Sequence, residues 1–125
     1  MTIESKELED LIGVAKDTFQ ELKVKKIIIK LDSKLRGSEY CEYSWFSIES
    51  NGNIVISISD KVPASSRINI ILFQLVDIIA YLKGEFKNLK KWQKILDKLR
   101  GAYEKSQNVS KNYVKEVSNE ICRQV

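Results

Sequence analysis

The chain predicts an α+β domain: an N-terminal helix, a small three-stranded, largely antiparallel sheet and three C-terminal helices, in the order α-β-β-β-α-α-α. Three observations carry this expectation. Toward both ends, apolar residues recur at three- and four-residue steps, the period of an amphipathic helix. Between them lie three short runs rich in β-branched and aromatic residues, separated by polar turn residues. One proline, Pro63, and five glycines among 125 residues provide too few turns for an all-β sandwich and leave room for long helices. A chain of this length forms one domain, 1–125, with a core of its own.

The elements follow in order. Leu8, Leu11, Ile12, Ala15, Phe19 and Leu22 mark a helix over residues 6–22. Ser5 is placed to cap it, and Glu7, Glu9 and Asp10 face the positive end of its dipole. Residues 24–31, with Val24, Ile27, Ile28 and Ile29, predict a buried strand. Residues 32–39 are a polar loop. Residues 40–48 and 54–58 are two further strands joined through Asn51-Gly52, the favoured pair for a two-residue type I′ hairpin turn. Pro63, Ser65 and Ser66 open a helix that runs to about Lys83, where Gly84 ends it. Phe86, Leu89, Trp92, Ile95, Leu96 and Leu99 stripe another helix, with Gly101 as its stop. A last helix from about Ser110 places Tyr113, Val117, Ile121 and Val125 on one face.

Composition narrows the function classes. The chain is 43% hydrophobic and 30% charged, the balance of a soluble globular domain. Cys41 and Cys122 lie far apart without Cys-x-x-Cys spacing, which argues against metal fingers and disulfides and for a reducing compartment. The acidic N-terminal residues do not form a signal peptide. The apolar run 68–82 is short for a bilayer and is interrupted by Asn69, Gln74 and Asp77. A cytoplasmic location without a membrane partner is expected. The net charge is +4 and unevenly spread. Residues 1–82 hold ten basic and twelve acidic side chains, whereas residues 83–125 hold eleven and five. That asymmetry suits an acidic partner, nucleic acid included, as well as a solvated helix face.

No histidine occurs anywhere in the chain, so Ser-His, Cys-His and histidine-metal chemistry are excluded. Lys34-Leu-Arg-Gly-Ser38 has one glycine and is too short for a phosphate loop. Glu39 and Glu42, flanking Cys41, are the carboxylates a metal-independent hydrolase could draw on.

The strand 54–58 followed by an apolar helix reading Leu72-Phe-Gln-Leu-Val-Asp77, and then Asn88-Leu-Lys-Lys-Trp92, resembles the SprT-like zinc metalloproteases over roughly residues 24–99. In that family the helix carries Leu-His-Glu-Leu-x-His, and a downstream His-Gly-x-x-aromatic supplies the third ligand. The resemblance puts Phe73, Asp77 and Asn88 at the ligand positions and Gln74 at the position of the glutamate. It therefore implies a zincin scaffold without its metal, because phenylalanine has no ligand atom and glutamine cannot take a proton from water. Cofactors: none are expected. Asp77 and Asn88 together would make at most a weak oxygen site for Mg²⁺ or Ca²⁺.

Two surfaces are candidate contacts. Lys83, Lys87, Lys90, Lys94 and Lys98 fall at helical spacing, widened by Lys91 and Arg100, on the side opposite Phe86, Leu89, Trp92 and Ile95. Tyr40, Tyr43 and Trp45 offer rings for stacking, with Tyr43 and Trp45 on one face of their strand and Phe46 on the other. The expectation is a non-catalytic module that docks on an acidic protein surface, by analogy an inhibitor from a virus or mobile element. The alternatives are a nucleic-acid-binding protein and a metal-independent enzyme.

Overall fold

The computed structural model describes residues 5–34 and 43–123, with side chains described as far as residue 107. Tyr40, Cys41, Glu39 and Glu42 lie outside the described residues, as do the side chains of Tyr113, Val117, Ile121 and Val125.

Helix α1 (Lys6–Thr18) begins after Ser5, which has the extended backbone of an N-cap but makes no side-chain capping bond. The helix ends earlier than its periodicity suggests. Phe19 is extended and a 3₁₀ turn, Gln20–Leu22, follows. Phe19 and Leu22 still reach the core, through this break in the backbone rather than along a helix.

The sheet is mixed. Strands β1 (Ile27–Asp32), β2 (Ser44–Ile48) and β3 (Ile54–Ser59) lie in the order β1-β3-β2, with β1 parallel and β2 antiparallel to β3. The largely antiparallel expectation is thus half right, since the β2–β3 hairpin is antiparallel but β1 joins the other edge of β3. β3 is buried at nearly every position, as a central strand should be. Val24, expected in β1, lies before it and is exposed. The hairpin turn also differs from a two-residue type I′ turn. Gly52 N–H donates to the Glu49 carbonyl at 2.9 Å, so Ser50 and Asn51 are the central residues. Gly52 itself takes φ +88°, the left-handed position that closes a three-residue loop.

Register places Ile27, Ile29 and Leu31 beside Ile54, Ile56 and Ile58, and Phe46 and Ile48 complete that face. Helix α2 (Ala64–Leu82) packs on this apolar face, burying Ile71, Leu72, Leu75, Val76, Ile78 and Ile79. The helix is longer than the apolar run 68–82, and at 19 residues it is long and apolar enough, by length and composition alone, to cross a bilayer. Here it is the core helix, clamped between the sheet and the helices.

Helix α3 (Leu89–Arg123) is one helix of 35 residues, where two were expected. Gly101 does not stop it. Leu99 on one side of the glycine is buried and Tyr103 on the other is half-buried against the core. That packing outweighs the roughly 1 kcal/mol that glycine costs inside a helix.

Candidate functional site

The elbow between α2 and α3 gathers most of the residues singled out above. Gly84 ends α2 with φ +72°, and its N–H donates to the Tyr81 carbonyl at 3.1 Å. Glu85 N–H reaches back to the Ala80 carbonyl at 2.8 Å. These two bonds are the Schellman pattern, and only a residue tolerant of positive φ closes it readily. The chain then turns through Phe86 and Lys87. Asn88 starts α3 by accepting the Lys91 N–H on its side-chain oxygen at 3.1 Å.

Phe73, Asp77 and Tyr81 stand four residues apart on the outer face of α2. Trp92, one turn into α3, stacks on Phe73 with ring centroids 6.1 Å apart and planes 16° from parallel. Its indole N–H donates to Asp77 Oδ1 at 2.6 Å. Burial pushes the Asp77 carboxyl above its usual pKa, and the indole donor opposes part of that rise. Tyr81 meets Phe46 of β2 and Phe86 of the elbow edge-to-face, each at 6.3 Å. Rings that link sheet, helix and elbow therefore form a chain along the surface. Tyr81 is 56% exposed, Phe86 49% and neighbouring Leu89 76%.

Phe86, expected on the apolar stripe of a helix, lies before α3, and both it and Leu89 are exposed. α3 begins only at Leu89, and the buried stripe starts at Ile95, continuing through Leu96 and Leu99. Trp92 is half-buried, packed against the edge of the core.

Each position of the zinc-protease frame holds a structural contact. Phe73 stacks on Trp92, Asp77 accepts the indole N–H, and Asn88 caps α3. Gln74 donates its amide to Ser44 Oγ at 2.7 Å, tying α2 to β2, and its carbonyl oxygen is buried with no partner among the described residues. Among the described residues no three His, Cys, Asp or Glu side chains come together as a metal set.

The lysines do not form one stripe. Lys83, Lys91, Lys94 and Lys98 converge on a groove floored by Phe19 and Ile95. Lys87 and Lys90 lie on a shallow depression beside Leu89, and Arg100 turns to another, near Tyr103. Lys83 pairs with Glu21 at 3.3 Å, and Lys91 with Glu85 at 3.5 Å. Lys98 Nζ sits 5.2 Å above the Phe19 ring. On the sheet, Trp45 and Tyr43 are exposed on the side away from α2, while Phe46 faces α2, as strand alternation requires.

The ring contacts of Tyr81 and the gathering of lysines over Phe19 were invisible to periodicity, because both join segments distant in sequence. The four-residue spacing of Phe73, Asp77 and Tyr81 was the signal available. No protein family model, curated protein or solved structure matches this chain.

Proposed function

We propose that this chain is a non-catalytic binding module that docks on an acidic protein through the α2–α3 elbow, in the cytoplasm. The observation that carries the reading is the exposed ring pair Tyr81 and Phe86, continuous with Phe46, with exposed Leu89 and the lysines Lys87 and Lys90 on the following turn of the elbow. Large exposed aromatics with a charged surround have the composition of an interface centre and rim, and they are costly to leave in water without a partner. Between residues 83 and 100 there are seven basic and two acidic side chains, which selects for an acidic surface.

The resemblance to SprT-like proteases makes the chain a pseudo-enzyme in this reading. The contacts of Phe73, Gln74, Asp77 and Asn88 support it, because Phe73, Asp77 and Asn88 make structural contacts at the positions of the zinc ligands and Gln74 ties α2 to β2 at the position of the glutamate. Such a protein acts by occupancy and needs no cofactor.

The test is affinity capture with the full chain, from lysate of its source cells and after nuclease treatment, compared with a Tyr81→Ser/Phe86→Ser variant. Docking through the elbow predicts a discrete protein that resists nuclease and is lost with the variant. Capture that disappears with nuclease would assign the surface to nucleic acid instead.

A further inference from the structure

We propose that the groove between Phe19 and the first turns of α3 seats a short carboxylate-rich segment of the docked partner. This rests on the docking reading and names the chemistry the partner must present. The groove is open to solvent and offers about 290 Å³ beside Phe19 and Ile95. Lys83, Lys91, Lys94 and Lys98 line it, and Glu85 is the one carboxylate among the described residues that does.

Its cations are available to a ligand. The Lys83–Glu21 and Lys91–Glu85 pairs are long and partly exposed, so an incoming carboxylate can compete with them. Lys94 and Lys98 have no carboxylate within 4.0 Å among the described residues, and Lys98 instead rests over the Phe19 ring. An apolar floor beneath the ammonium groups lowers the local dielectric and strengthens their pull on an anion.

The groove is also short. Lys91 and Lys98 are seven residues apart on α3, about 10 Å of helix, which about three residues of an extended segment cover. The lysines that line the groove end at Lys98, so its length matches a short acidic segment, whereas a nucleic acid strand would run on past them.

The test is fluorescence anisotropy of a labelled short peptide of alternating glutamate and alanine, beside an oligothymidylate of matching charge. The proteins are wild type, Lys94→Glu/Lys98→Glu, Lys94→Gln/Lys98→Gln, and Lys30→Glu/Lys61→Glu as an equal charge change elsewhere. Melting curves establish that each variant is folded. The expected result is saturable, salt-sensitive peptide binding that weakens about tenfold in both groove variants, less than about twofold in the control, with weaker oligonucleotide binding. The proposal is overturned if wild type does not bind the peptide, if control and groove variants lose affinity equally, or if the oligonucleotide binds more tightly. In any of those cases, capture that still depends on Tyr81 and Phe86 leaves the docking reading standing. Capture indifferent to those two rings removes the docking reading instead.

Discussion

Asp77 is the carboxylate on which the α2–α3 contact turns, since its Oδ1 accepts the Trp92 indole N–H at 2.6 Å. Its folded pKa is raised, chiefly by burial, so the protonated form is the one folding favours. The contribution of this group is therefore fully present below the unfolded carboxyl value of about 4 and is lost as pH rises through the higher folded value. Asp77→Asn keeps an oxygen acceptor for the indole and removes the titration. Its melting temperature relative to wild type should accordingly climb between about pH 4 and pH 7. A difference that stays flat across that range would mean Asp77 is as well solvated folded as unfolded. Trp92→Phe keeps the stack on Phe73 but loses the bond, and should cost about 1 kcal/mol in denaturant melts. Trp92→Ala loses both and should cost roughly 2–3 kcal/mol, below the usual range for a fully buried ring because Trp92 is half-buried. Equal costs for the two variants would show that the stack contributes nothing.

At the scale of elements, two glycines of similar appearance in the sequence play opposite parts. Gly84 sits at φ +72° in the bonds that close α2, whereas Gly101 lies inside α3 where a Cβ would meet nothing within 4 Å beyond the adjacent backbone of its own helix. Gly84→Ala should destabilise by about 1 kcal/mol, and Gly101→Ala should stabilise by roughly 0.5–1 kcal/mol. Chemical denaturation of the two variants checks both signs, and a destabilised Gly101→Ala protein would contradict a continuous α3. Sequence alone could not separate the two glycines. A glycine stop and a tolerated glycine look alike until the packing of Leu99 and Tyr103 on either side is known. The hairpin was legible because Asn51-Gly52 demands a turn, although the three-residue loop was not, since loop length depends on which pairs close the ladder. Parallel pairing of β1 with β3 was hidden as well. The hairpin spacing paired β3 with β2, but nothing in the sequence showed that β1 would flank its other edge.

At the scale of the molecule, the charge asymmetry was visible in the chain, while the surface that uses it was not. Periodicity put Phe86 and Leu89 on the apolar stripe of a helix because they continue the spacing of Trp92, Ile95 and Leu99. Both precede or open α3, before α2 and α1 cover it, so they remain exposed, Phe86 against Tyr81. The lysines divide in the same way, some toward the Phe19 groove and others around the elbow. If the elbow docks a protein through its rings, affinity for the captured partner should fall less steeply with salt than affinity for the isolated acidic peptide, because the centre of the contact is apolar and the lysines border it. The most direct measurement is calorimetric titration of that partner against wild type and the Tyr81→Ser/Phe86→Ser variant, with melting curves of both. A docking surface centred on these rings predicts at least a roughly thirtyfold loss of affinity in the variant with its fold intact. Equal affinity in a folded variant would contradict it.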